Sequence, residues 1–435
     1  YKGGICFLGG SAGGLTGSAV ANMAPELFFS MLLLVPFCDI LTSMLNKKLP
    51  LTPSEWELWG NPTKNKKYFE TILSYAPYNN LRRTSYPSMF VTTSLFDSRV
   101  LYSEAVKSLT KFHFENCHPY QKILNTLGFV PERSHRLEDY PFLPVRLFKE
   151  YELVSVDRSQ IIKTMTSSGT TGQRVSKIFL DRETATNQTK VLTKIVSSLI
   201  GRKRLPLLII DTKTVVKNRN LFSARGAGIL GFSLLGVDVT YALNEDMSLD
   251  IDAVQSFCAK HKNETILLFG FTYIIWEHFF KPLSESRQTL ALENAILIHG
   301  GGWKKLLEEA VDNREFKKYL GNVCGINKVH NYYGMVEQTG SIFIECESGF
   351  LHCSIFSDII TRRTDFTECA IGETGIVELL SLLPQSYPGH IILTEDEGAI
   401  IGEDDCTCGR LGKYFKIHGR IKNAEIRGCS DVYSK

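Results

Sequence analysis

The stretch Ile161-Ile162-Lys163-Thr164-Met165-Thr166-Ser167-Ser168-Gly169-Thr170-Thr171-Gly172 decides the fold. Its first five residues read as a short apolar strand, and each of the next seven carries a hydroxyl or is glycine. Glycines let backbone N–H groups converge on an anion, and hydroxyls add donors without bulk. A flexible Ser/Gly linker would share this composition. A linker seldom stands between an apolar strand and further ordered pattern, so the stretch reads as a phosphate-binding loop. It is not a Walker loop, because no Gly-Lys-Ser/Thr follows at the required spacing.

Outward from that loop, apolar strand candidates alternate with helical stretches. The strands are Leu205–Ile210, Thr265–Phe269, Ala295–Ile298 and Lys328–Tyr332. The alternation predicts an α/β layered architecture. On the N-terminal side, Pro141-Phe142-Leu143-Pro144 reads as a stiff connector, and Pro119 to Leu127 as helix. The 435 residues suffice for two or three domains, and 43% hydrophobic against 22% charged residues excludes a disordered chain. Lys+Arg 49 against Asp+Glu 46 is too even a balance to predict a nucleic-acid or anionic-membrane partner. The most apolar run, Leu27 to Cys38, is too short to span a bilayer. Eleven scattered cysteines do not form a disulfide framework, so reduced thiols in a cytoplasmic protein are expected.

Four further segments follow the loop in a familiar order. Thr166 to Gly172 resembles the phosphate loop of the adenylate-forming enzymes, the acyl-CoA ligase and luciferase superfamily. His299-Gly300-Gly301-Gly302-Trp303 falls where that superfamily has an adenine-side glycine turn. Asn331 to Gly340, with Tyr333, Gly334 and Glu337, resembles its Tyr-Gly-x-x-Glu motif. Leu393 to Gly398 is similar to its ribose-binding Asp segment, and Gly419-Arg420-Ile421-Lys422 to its hinge-side Gly-Arg. Ser223 to Gly228, Phe269 to Thr272, Gly302 to Leu306, Ser386 to His390 and Glu425 to Asp431 look like the acyl-protein synthetase (LuxE-like) family, over about residues 108–435.

The resemblance implies a site for ATP and Mg²⁺. Ser167, Ser168, Gly169, Thr170, Thr171 and Gly172 would cradle pyrophosphate, with Gly301, Tyr333 and Gly334 on the adenosine side. Glu337 would ligate Mg²⁺, Asp396 would accept the ribose hydroxyls, and Arg420 would contact ribose or phosphate. Many relatives place a Lys three residues after the last loop glycine. Here that residue is Val175, so either Arg174 or Lys177 would meet pyrophosphate. The chain stops fifteen residues beyond Arg420, so a large domain without a full C-terminal lid is expected. Cys429, beside Arg427, is then a candidate acyl acceptor; a structural thiol is the competing reading. The family implies a fatty acid substrate and an acyl reductase partner, as in bacterial luminescence. An acyl-CoA ligase of the phenylacetate–CoA ligase type is the alternative.

Cys346, His352, Cys406 and Cys408 offer three thiols and an imidazole, a set suited to tetrahedral structural zinc. Cys353 competes as a ligand, and unrelated core thiols remain the other reading.

The first hundred residues have their own character. Ile5-Cys6-Phe7-Leu8 predicts a strand, Gly9 to Gly14 a glycine turn holding Ser11, and Leu15 to Met23 a helix. That is the context of a nucleophile elbow. Gly10 to Gly14, Val35 to Asp39, Glu57 to Pro62, Ser74 to Tyr78 and Phe96 to Val100 resemble prolyl oligopeptidases of the oligopeptidase B type. The resemblance implies Ser11 as nucleophile and Asp97 as the triad acid. The family's histidine segment finds no counterpart, so a partial, inactive α/β-hydrolase fragment over 1–105 is expected before a synthetase over 106–435. A serine peptidase working through Ser11 is the reading from another class.

Overall fold

The computed structural model describes residues 4–45, 47, 52–92, 102–131, 136–167, 174–216, 222–286, 290, 292–303, 306 and 309–421. The chain divides into two compact units. One is Tyr1–Lys111 with Val130–Tyr140, and the other is Phe112–Phe129 with Pro141–Lys435. The boundary expected near residue 105 falls inside the helix Tyr102–Asn116.

The first unit is built on a three-stranded parallel sheet, β1 (Ile5–Ser11), β2 (Phe28–Pro36) and β3 (Ser88–Thr92), in that order. Ser11 ends β1 at φ 49°, in the left-handed region, and the helix Ala12–Met23 starts at the next residue. Such a turn needs bare backbone beside it: a Cβ on Gly9 would stand 2.7 Å from the carbonyl oxygen of Gly13. The predicted strand and helix are both present, but they absorb the expected glycine turn: Gly9 and Gly10 lie in β1, Gly13 and Gly14 in the helix, and the chain turns at Ser11 alone. Below the helix, Leu15, Phe37, Ile40, Met44 and Ile72 pack into a small core. Asp39 and Lys107 lie 3.8 Å apart and are both buried, with the ammonium 4.0 Å over the Tyr78 ring.

The second unit is dominated by a twelve-stranded mixed sheet. Its strands are β4 (Leu143–Pro144), β7 (Leu205–Thr212), β9 (Gly236–Leu243), β10 (Ile266–Phe271), β11 (Ala295–Gly300), β12 (Lys328–Tyr333), β13 (Phe343–Glu345), β14 (Leu351–His352), β15 (Ser357–Arg362), β16 (Gly375–Ser381), β17 (Ile391–Glu403) and β18 (Lys413–Arg420). A separate small sheet holds β5 (Ile161–Thr166), β6 (Lys177–Asp181) and β8 (Phe222–Ser223). The large sheet runs β15-β16-β17-β18-β14-β13-β12-β11-β10-β7-β9, with β4 beside β17.

From β9 to β12 the neighbours are parallel, and beyond β12 they are antiparallel except for β4 beside β17. The three central parallel strands, β7, β10 and β11, carry nearly continuous apolar runs, as strands covered on both faces do. Leu207, Leu208, Ile209, Ile210, Leu267, Leu268 and Phe269 are each fully buried, and each contributes about 1.5–3 kcal/mol of burial. Asp211 and Arg225 form a bidentate ion pair, both buried, at the carboxyl end of β7. The stretch expected to be a connector contributes a strand instead: Leu143 and Pro144 pair in parallel with Ile392 and Leu393. The local sequence holds no period that could announce two residues of pairing to a strand so distant.

In an open α/β sheet, ligands bind outside the carboxyl ends of the parallel strands. Here those ends deliver Asp211, Phe271, Gly300 and Tyr333 to one edge of the sheet.

Candidate functional site

The hairpin of β5 and β6 forms the first side of the site. Its last register pair is Thr166 with Lys177. Beyond it the Ser167 N–H donates to the Ser176 carbonyl at 3.1 Å, and the Ser176 N–H donates to Ser167 Oγ at 2.9 Å. Ser167 thus closes the neck of the hydroxyl-rich loop. The rest of that predicted phosphate cradle (Ser168, Gly169, Thr170, Thr171 and Gly172) lies outside the described residues, as do Cys429 and Asp97. Of the two cations expected to compete for pyrophosphate, Arg174 pairs with Glu150 at 2.8 Å and Lys177 with Glu152 at 3.9 Å.

The second side comes from the carboxyl ends of β11 and β12. Gly301 follows β11 at φ 81° and is exposed. Beneath it His299 is buried and shares a 2.9 Å hydrogen bond with Thr272 Oγ1. Burial, helped by the charge of Lys317, lowers the His299 pKa to about 3, so the ring is neutral. After β12, Gly334 leads into the short turn Val336–Gln338, which holds Glu337 at 3% exposure. Tyr387 Oη donates to the Glu337 carbonyl at 2.9 Å, and Gln338 Nε2 donates to the carbonyls of Gly389 (2.9 Å) and Leu379 (3.1 Å). The turn ends at Gly340, φ 87°, where a Cβ would stand 2.6 Å from the Gln188 carbonyl.

The third side is the pair of β17 and β18, where Asp396 and Arg420 are register partners. Tyr333 Oη donates to Asp396 Oδ2 at 2.6 Å, while Arg420 Nε lies 3.6 Å from Oδ1. Burial, and then the charge of Asp396, raises the Tyr333 pKa well above its ordinary value, so this hydroxyl stays a donor. The structure therefore brings Tyr333, Asp396 and Arg420 together. It adds two residues that the sequence did not flag: Glu395, which is buried, pairs with Arg146 and lies 3.8 Å from Arg420. Glu395 sits beside the recognised Asp, so adjacency was a usable signal. Arg146 carried none.

A separate cluster lies beyond β13. The ligand atoms of Cys346, His352, Cys406 and Cys408 fall within 4.8 Å of one another. Cys346 Sγ and Cys406 Sγ are 3.9 Å apart, and Cys408 Sγ is 3.5 Å from His352 Nε2. Burial, then the nearby Arg410, lowers the His352 pKa and favours the neutral, ligating ring. Three thiols and one imidazole at this spacing fit a tetrahedral zinc ion. Cys353, the competing ligand, packs instead in an apolar core with Phe343, Ile359 and Phe415. Among the described residues no cysteine is in a disulfide. The cluster is anchored to β12 through its neighbour Glu345, which accepts from the Asn331 N–H at 2.9 Å and pairs with Lys317 at 2.9 Å.

Ser11 belongs to the first unit, and no histidine accompanies it among that unit's described residues.

Comparison with known proteins divides the chain in a similar way. The family model for acyl-protein synthetase, LuxE, matches residues 87–435, and the prolyl oligopeptidase family model matches residues 2–137. Dipeptidyl aminopeptidase BI of Pseudoxanthomonas mexicana is 50% identical over 107 residues, which are 25% of this chain and 15% of that protein. Protease 2 of Moraxella lacunata is 50% identical over 99 residues, 23% of this chain and 14% of its own length. The chain thus spans a small part of the curated relatives it matches. Among solved structures, an open conformation of 2-hydroxyisobutyryl-CoA ligase with 2-HIB-AMP and CoA superposes with a TM-score of 0.59 at 18% identity. The match covers 74% of this chain and 69% of the ligase. At that identity the likeness establishes the fold, which is that of an adenylate-forming ligase. Among the described residues, no helix is long and apolar enough to cross a membrane.

Proposed function

Because the chain belongs to the acyl-protein synthetase, LuxE family, we propose that it activates a fatty acid with ATP and loads the acyl group onto its own Cys429. A reductase partner would take the acyl group from there. In the first step a carboxylate oxygen attacks the α-phosphorus of ATP, the bond to pyrophosphate breaks, and an acyl-adenylate forms. In the second the Cys429 thiolate attacks the acyl carbonyl and AMP leaves, the thiol proton going to solvent. The observation that carries the reading is the Tyr333–Asp396–Arg420 cluster. It stands at the carboxyl end of the parallel strands, where a ribose would need an acceptor flanked by a cation.

Catalysis of the first step is alignment plus neutralisation of phosphate charge. Ser167 holds the neck of the loop that would cradle pyrophosphate. Asp396 would accept ribose hydroxyls, and Arg420 would sit against ribose or phosphate. Glu337 supplies a hard, buried oxygen donor of the kind Mg²⁺ takes alongside phosphate oxygens and water. Bound there, Mg²⁺ would offset the charge on the phosphates. In this reading the synthetase occupies about residues 106–435, and residues 1–105 take no part in the chemistry.

Incubation with ATP, Mg²⁺ and labelled fatty acid tests the proposal. Label should stay on the protein without CoA and be released by neutral hydroxylamine. Release of acyl-CoA alone, with no protein-bound label, would make the protein a CoA ligase and overturn the reading.

We also assign structural zinc to Cys346, His352, Cys406 and Cys408. Elemental analysis should find about one zinc per chain. The Cys406→Ser protein should lose it and melt at a lower temperature. A zinc-free wild type with an unchanged melt in excess chelator would refute the assignment.

A further inference from the structure

The segment Ser386 to His390 takes no part in the cluster of Tyr333, Asp396 and Arg420, yet it bonds both to β6 and to the turn that holds Glu337. On one side Ser386 Oγ donates to the Phe179 carbonyl at 2.8 Å. Phe179 lies on β6, two residues beyond Lys177, so this bond reaches the strand that leaves the phosphate hairpin. The Ser386 N–H donates to Thr184 Oγ1 at 3.1 Å, on the helix that follows β6. The Ser386 carbonyl accepts from the Ser155 N–H at 2.8 Å, ahead of β5.

On the other side Tyr387, fully buried, donates its hydroxyl to the Glu337 carbonyl. Gly389 accepts from Gln338, the next residue of the same turn. A Cβ on Gly389 would stand 2.9 Å from the Glu337 carbonyl oxygen and 2.4 Å from the Tyr387 ring, so the packing leaves no slack. Two consecutive residues, Ser386 and Tyr387, therefore tie the hairpin strand to the turn that holds the buried carboxylate.

We propose that Ser386 and Tyr387 are positioning residues that set the place of Glu337 relative to the phosphate hairpin, and through it the grip on the Mg²⁺–ATP complex. The proposal rests on the adenylation reading above and deepens it. A metal shared between a carboxylate on one element and phosphates held by another is bound well only if both elements keep a fixed separation. Partners that orient a metal ligand typically change metal affinity by about 10–100-fold when lost. Tyr387→Phe removes one hydroxyl and keeps the buried ring, so the fold is retained while the turn loses its tether.

The test is ATP–pyrophosphate exchange with fatty acid present, followed as Mg²⁺ is titrated at fixed ATP, beside a calorimetric titration of the protein with Mg²⁺–ATP whose dissociation constant should rise by the same factor. For Tyr387→Phe the Mg²⁺ concentration at half-maximal exchange should rise about tenfold, with exchange recovering substantially at saturating Mg²⁺. A merely structural role would lower the amount of active protein and leave that midpoint where it is. An unchanged midpoint in a folded Tyr387→Phe protein overturns the proposal. Should that variant fail to fold, Ser386→Ala carries the same expectation and the same refuting result. Robust wild-type exchange with unshifted variants would sink this inference alone. No exchange in the wild type would remove the adenylation reading and the inference with it.

Discussion

Glu337→Ala protein should lose ATP–pyrophosphate exchange by about a hundredfold or more, because it removes the buried carboxylate proposed to share Mg²⁺ with the phosphates. The loss should be in kcat as well as in apparent Mg²⁺ affinity, and saturating Mg²⁺ should not restore it. That separates this variant from Tyr387→Phe, where the carboxylate remains and only its placement slackens. The turn itself should survive, since its bond to Tyr387 uses the Glu337 backbone carbonyl and not the side chain. A thermal melt within a few degrees of wild type would establish that. Exchange within threefold of wild type in the Glu337→Ala protein would remove this residue from the chemistry.

The second large effect is expected at Cys429. In Cys429→Ser protein, label released by neutral hydroxylamine should fall to background, while pyrophosphate exchange stays within about twofold of wild type. The asymmetry follows from the two half-reactions: adenylation needs the nucleotide site, and only transfer needs the thiol. A hydroxyl is a far weaker nucleophile at neutral pH than a thiol, whose thiolate is accessible. Retained thioester on the Ser variant would place the acceptor on another of the chain's cysteines. Loss of exchange together with label would show that the substitution damaged the nucleotide site instead.

Much of this architecture was legible in the sequence because its signals are local. The runs at Leu205, Ile266 and Ala295 are continuous and apolar, as a doubly covered parallel sheet demands, and each is a strand. The glycine turn around Ser11 announces itself through neighbours without a Cβ, where the backbone closes on itself. What the sequence hid is non-local. Leu143–Pro144 pairs with Ile392 and Leu393, and nothing within a few residues of either segment records the other. Arg146 meets Glu395 across a comparable separation. The Ser386–His390 phrase was visible as a family likeness, but its bonds to Phe179 and Glu337 exist only once the chain has closed. The thiol and imidazole set lies between these cases. Its residue types suggested zinc, while the choice between Cys353 and the other thiols needed the packing.

If Asp396 receives the ribose as proposed, the short bond it accepts from Tyr333 bears on nucleotide selection. With no guest present the acceptor is already engaged, so a sugar hydroxyl arriving there trades one hydrogen bond for another. An exchange of that kind yields little net free energy, commonly about 1 kcal/mol. A sugar lacking the hydroxyl would leave the bond from Tyr333 to Asp396 undisturbed, so it forfeits only that small difference. On that reading this carboxylate orients the sugar and discriminates only modestly between sugars with and without the hydroxyl.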